Sequence, residues 1–259
     1  YEPGKTYFVE TATEQDMTMA MAGQEMESST QMTVVVAQKV IETEGGKEIE
    51  QGMESMVMDV STGQMNINYD SKNPQGPMAP MLKPLMEAKT TVALNAVGEI
   101  EEITLPDLPG METLGMGKEA MEQSVRANFE LMPNRKIAEG KSWTAESKLP
   151  LGGLTEKPAE LKYNLTFEEV VEKEGRQLAR VPFTGSLASD SEQLKISSKK
   201  IEGVIFFDIE VGQIREMTMT MDMEIGLPEG MAKQEGAPGT MPMSTKTVTR
   251  LLEIKDSEE

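Results

Sequence analysis

Residues 217–223 read Met-Thr-Met-Thr-Met-Asp-Met, and residues 17–21 read Met-Thr-Met-Ala-Met. Methionine at every second position favours one backbone. In a strand successive side chains point to opposite sides, so the alternation gives one apolar face, whereas a helix would scatter the methionines round its axis. The same period of two runs through much of the chain. Met32, Val34, Val36 and Val40 share a parity within 26–43, and Met65, Ile67 and Tyr69 share a face within 64–69. Further strands are predicted at 4–21, 47–60, 89–96, 99–105, 141–149, 159–173, 176–188, 193–209, 213–225 and 243–255. Turns at Ala22-Gly23-Gln24-Glu25, Glu44-Gly45-Gly46, Glu174-Gly175 and Val211-Gly212 separate several of them.

Three segments break the alternation. Residues 71–84 carry Pro74, Pro77, Pro80 and Pro84, which excludes a central strand. Met81, Leu82, Leu85 and Met86 nevertheless predict a short helix over about 78–88. Met111, Leu114, Ala120, Met121, Val125, Phe129 and Leu131 predict a helix over 111–131, weakened by Gly115 and Gly117 and stopped by Pro133. Residues 227–242, rich in Gly and Pro, are expected to form a surface loop.

Two halves of the chain match. Gly4-Lys5-Thr6-Tyr7 pairs with Gly140-Lys141-Ser142-Trp143, Val40 to Gly45 with Val170 to Gly175, and Val97 to Ile103 with Val211 to Met217. The three matches keep their order, and one insertion at the Pro-rich helical segment accounts for the change in offset. The expected fold is therefore mainly β: two related halves of long antiparallel hairpins in one or more curved sheets, with one clear helix and one short one. Residues 1–131 form the first repeat with its insertion, and residues 132–259 the second.

The chain has 259 residues, no Cys and no His, which excludes disulfides, Cys/His zinc sites, His-dependent triads and His-ligated haem. A net charge of −19 disfavours nucleic acid. No apolar run approaches the ~20 residues of a membrane-spanning helix. The start at Tyr1 fits a chain whose export signal or lipid anchor is absent, so an extracytoplasmic location, periplasmic or cell-surface, is expected. The 23 Met outnumber the aromatics, so flexible thioethers are expected to fill the interior.

The opening Gly4-Lys5-Thr6-Tyr7, the alternating strand of residues 17–21, the helix before Gly140-Lys141-Ser142-Trp143, and residues 217–223 resemble an uncharacterised family of secreted or lipid-anchored bacterial proteins. The resemblance covers most of the chain and carries no functional residues. A looser likeness is to lipoprotein-carrier folds, in which a curved antiparallel sheet forms a half barrel round helices and leaves an apolar cavity for acyl chains.

The function expected is non-enzymatic: an apolar, lipid-like ligand or a protein partner held on a methionine-lined concave face. The candidate ligand-binding residues are Met17, Met19, Met21, Leu85, Met86, Met121, Val125, Met217, Met219 and Met221. No catalytic residue, cofactor or metal ligand is assigned. Two rivals stand beside this reading. One is a structural envelope protein with a filled core and no cavity. The other is Cu(I) or a similar soft metal held by clustered thioethers, against which same-face neighbours on one strand lie ~6.8 Å apart. Paired carboxylates such as Asp190 and Glu192 arise by chance among 44 acids, and glycosidase chemistry would need a cleft between them.

Overall fold

A computed structural model of the chain describes residues 1–21, 24–63, 65–108, 117–149, 159–189, 196–226 and 240–257. Its elements are β1 (Lys5–Met21), β2 (Gln24–Thr43), β3 (Gly46–Thr62), β4 (Met65–Asp70), α1 (Ala79–Glu87), β5 (Lys89–Asn95), β6 (Ile100–Thr104), α2 (Lys118–Glu130), β7 (Ser142–Leu149), β8 (Ala159–Thr166), β9 (Glu169–Lys173), β10 (Arg176–Ala188), β11 (Ile196–Asp208), β12 (Gln213–Gly226) and β13 (Thr240–Asp256). All thirteen strands belong to one antiparallel sheet. Its order is β6-β5-β3-β2-β1-β13-β12-β11-β10-β8-β7, with β4 beside β3 and β9 beside β10. The two halves thus share a continuous sheet, joined where β13 pairs with β1.

Several predicted boundaries move. The long helix starts only at Lys118, because Gly117 is extended at φ −63° and ψ 164°. Positions 111–116 of the expected helix lie outside the described residues. The strand expected over 159–173 is two strands. Both pair with β10, but residues 166–168 stand opposite only 181–182 there, so a bulge separates β8 from β9. The expected loop over 227–242 gives up 240–242 to β13, and 227–239 lie outside the described residues. Gln24 and Glu25, expected in a turn, open β2 against β1, and Gly46 likewise opens β3 against β2.

Register fixes which residues share a face. Val9 pairs with Val36 and Leu251, Thr13 with Met32 and Thr247, and Met219 with Thr247 and Gly203. Following such rows from strand to strand defines one apolar face across the sheet. The opposite face is charged: Lys199–Glu224, Lys173–Glu216 and Lys162–Glu146 form ion pairs there. A β-bulge matters to this sorting. Val35 pairs with Ser55 but Val36 with Met53, so Glu54 is the extra residue and Met53, Met56 and Met58 all reach the apolar face despite mixed parity.

The sheet is curled, and α2 shows how tightly. Ten inter-strand steps separate β6 from β7, a path of ~48 Å at ~4.8 Å per step. A helix of 13 residues is only ~20 Å long. Yet α2 touches both β6 and β7. The two ends of the sheet must therefore approach one another, and the apolar face lies on the inside of a trough.

Helix α2 plugs one end of that trough. Val125 and Phe129 pack against the cluster of Tyr7, Val40, Ile49, Val92 and Leu94, together with Ile103 of β6. The Phe129 ring stacks on Tyr1 with centroids 5.8 Å apart, and Tyr1 meets Tyr7 edge-on at 5.3 Å. Past the helix, Leu131, Met132 and Ile137 pack against the cluster containing Trp143, whose indole N–H donates to the Leu131 carbonyl at 3.3 Å. The Asn134 amide donates to the Gly98 carbonyl at the β5–β6 turn, 2.9 Å away. Helix α1 is shorter and has Pro80 in its first turn and Pro84 inside it. It presses Leu82 onto Met56 and Tyr69, covering the inner face of β3 and β4.

Candidate functional site: a methionine-lined trough

Beyond the aromatic plug the inner face changes character. Going from the end marked by Tyr7 and Trp143 toward the far ends of the long hairpins, the lining becomes methionine and threonine. Thr11 pairs with Thr249, their hydroxyl oxygens 3.3 Å apart, and Thr13 pairs with Thr247. These threonines form a hydroxyl seam along the β1–β13 junction. On one side stand Val34, Met32, Met56 and Met58; on the other, Met217, Met219, Met221 and Met223. Most of these side chains are only half-buried, Met221, Met223 and Met56 being the buried ones. Polar threonine breaks the apolar lining into two lobes without adding charge.

The ten sequence-predicted residues are spread along the trough rather than gathered. Met17, Met217, Met219 and Met221 sit on the inner face of β1 and β12. Met217 packs with the cluster around Trp143 and Phe183, Met221 with that around Leu161 and Ile201, and Met219 with both. Met19 and Met21 lie on β1 opposite Met26 and Gln24, and their side chains are outside the described residues. Leu85 and Met86 join the cluster under α1. Val125 belongs to the plug, and Met121 lies one turn before it on α2, half-buried. Sequence reasoning missed Met53, Met56 and Met58, whose common face depends on the Glu54 bulge. It also missed Tyr163 and Phe183, which line the second lobe edge-to-face at 5.6 Å.

Two concavities flank this surface. A cleft of about 710 Å³ lies among β1, β2 and β3 near the far hairpin ends, lined by Asp16, Met17, Thr18, Met26, Glu27, Ser28, Ser29, Ser61 and Gly63. A smaller one of about 170 Å³ lies between α2 and the β7–β8 pair, lined largely by charged residues such as Arg126, Glu130 and Lys162. Both are chiefly polar, so neither is the closed apolar cavity of a lipocalin-like barrel. The apolar candidate site is the open inner face itself. Among the described residues, no group of three or more Asp and Glu is placed to hold a metal ion.

Tyr163 reports on the dryness of the second lobe. Its hydroxyl donates to the Met219 sulfur at 3.9 Å, and burial pushes its pKa up to about 12. The unfolded phenol titrates near ~10. A raised folded value stabilises the neutral form, so this contribution to stability is complete below pH ~10 and is lost as pH rises through about 12. Ultraviolet titration is expected to show a late phenolate step that Tyr163→Phe removes. A Tyr163 step near the unfolded value would show the lobe to be wet.

No family model matches the chain, and no curated protein matches it. Solved structures do. The chain resembles lipovitellin in fold. The match has a TM-score of 0.56 at 11% identity and covers 100% of this chain and 26% of that one, a structure described for its lipid–protein interactions. The chain thus spans about a quarter of the lipovitellin chain, and the likeness is one of sheet architecture. An outer membrane channel from Pseudomonas putida F1 matches with a TM-score of 0.28 at 8% identity, over 97% of each chain. DynF, from the dynemicin biosynthesis pathway of Micromonospora chersina, matches with a TM-score of 0.21 at 11% identity, over 98% of this chain and 83% of its own. Among the described residues no helix is long and apolar enough to cross a membrane.

Proposed function

We propose that this protein is a non-enzymatic, extracytoplasmic binder of acyl-chain lipid, which it seats on the inner face of the trough. One observation carries the reading: Met32, Met58, Met217 and Met219 point into a curled sheet and are still only half-buried. In a filled sandwich such positions meet a second layer. Here α1 covers the first lobe only in part, and an apolar ligand is the natural facing layer. Methionine suits that role, because its unbranched thioether adapts to chains of differing shape. The fold likeness to lipovitellin, a protein solved for its lipid–protein interactions, supports the same reading by analogy. A chain without Cys needs no redox control, which is compatible with export.

The two-lobed lining also has an economical origin in one duplicated unit, residues 1–131 and 132–259. The strand orders β1-β2-β3-β5-β6 and β7-β8-β10-β11-β12 run the same way across the sheet. Gly4 and Gly140, which precede β1 and β7, both have φ of 76°, and Gly98 and Gly212 turn the later hairpins at 84° and 71°. Only Gly takes such φ without strain, so the same residue recurs at the same place in each half.

Native mass spectrometry of the protein purified from its own host tests the lipid reading. The expected result is a co-purifying lipid that a fluorescent fatty acid displaces at micromolar concentration. Lipid-free protein that also ignores the fatty acid would end the proposal.

A further inference from the structure

We infer that Met17, Met243 and Met223 form a binding site for a soft monovalent cation, Cu(I) in chemical class, at the far-hairpin end of the inner face. The three residues occupy one cross-strand row: Met17 of β1 pairs with Met243 of β13, which pairs in turn with Met223 of β12. On a single strand, same-face methionines lie too far apart to share an ion. Across strands the spacing shortens, with directly opposed Cβ atoms ~4.5–5.5 Å apart. The two outer strands are ~9.6 Å apart, so Met17 and Met223 each need to lean by only ~2.5 Å to share an ion above Met243. The row lies on the concave face, where side-chain tips converge, and an unbranched thioether has the freedom to lean.

The surroundings favour a cation. Met17 also lines the 710 Å³ cleft, which opens the row to solvent. Met223 is 5% exposed, so the far side of the row is dry, where a weakly hydrated soft ion loses least. Three thioethers select Cu(I) or Ag(I) over Mg²⁺, Ca²⁺ or Zn²⁺, which prefer oxygen, nitrogen or thiolate. With no Cys and no His in the chain, no stronger soft ligand competes. Thioethers carry no proton near neutrality, so binding displaces none.

Silver(I) in chloride-free buffer is the probe, since it needs no reductant. With methyl-labelled methionine, one equivalent is expected to bind and to shift the methyl signals of Met17, Met223 and Met243 together. Met243→Leu and, separately, the milder Met17→Leu are each expected to weaken binding at least tenfold. Met65→Leu, at an exposed position off the row, leaves it unchanged. Affinity is expected to be the same at pH 7 and pH 4.5. The inference is overturned by absence of silver binding at low micromolar concentration, by parental affinity in the Met17→Leu or the Met243→Leu protein, or by loss of binding as carboxylates protonate. The silver measurements use delipidated protein, so this inference and the lipid reading fail separately.

Discussion

Replacing Tyr7 by alanine is expected to lower the stability of the protein by about 3–5 kcal/mol, the range for deleting a large buried aromatic ring. Tyr7 is 1% exposed and lies where the first strand meets the plug. Its ring meets Tyr1 edge-to-face, Tyr1 stacks on Phe129 of α2, and the Tyr7 hydroxyl accepts the Glu2 N–H at 2.8 Å. The substitution therefore empties the cluster at its centre and unseats the helix that holds the two ends of the sheet together. In a protein of this size the loss corresponds to a melting temperature lower by about 10 °C. Urea denaturation followed by Trp143, the single tryptophan, measures it. Trp143 is 8% exposed under Leu131, so loosening of the plug is also expected to red-shift its emission before global unfolding. A loss below about 1 kcal/mol would show that α2 does not depend on β1 for its seat.

What could be read in the sequence follows from what period two encodes. Alternation identifies strands and sorts their faces, so β1, β2, β4 and β12 were legible almost to their ends. Alternation is silent where a strand gains a residue. The Glu54 bulge in β3 reverses parity between Met53 and Met56, and nothing in Gly-Met-Glu-Ser-Met-Val-Met marks the place. A second extra residue, within 166–168 opposite β10, in the same way divides an apparently continuous strand at Phe167 and Glu168. The short helix was legible because Leu82, Leu85 and Met86 share a stripe that α1 does bury, and its Pro80 sits in the first turn, where no amide donor is needed. A curved sheet was expected from the likeness to half-barrel folds, but its cause was not legible. It comes from α2 reaching both edge strands, a long-range contact with no local signature. The candidate residues were chosen for their face, and a face does not say which positions are plugged and which are open. Val125 proves to belong to the plug, while Met217 and Met219 line the open trough beyond it.

Placing a carboxylate in the open lining is expected to weaken acyl-chain binding about 100-fold, because an unpaired charge against a hydrocarbon chain costs several kcal/mol. Met219→Glu makes the test in the second lobe and Met32→Glu in the first. Both positions are half-buried on the inner face, so the folded chain can accommodate the change more readily than at Met221 or Leu165, which are buried. Met219→Leu and Met32→Leu keep the apolar surface and are expected to bind as the parent does, separating charge from shape. Displacement of a fluorescent fatty acid gives the affinities, and circular dichroism checks the fold of each variant. The threonine seam at Thr11, Thr13, Thr247 and Thr249 gives the pair of carboxylate variants a second use. A single ligand lying across the seam loses affinity in either variant. Two ligands, one per lobe, leave each variant with half the parent's stoichiometry at unchanged affinity. Parental affinity and stoichiometry in both would mean that no acyl chain touches the inner face, and the methionines would then be the lining of a surface that faces only water.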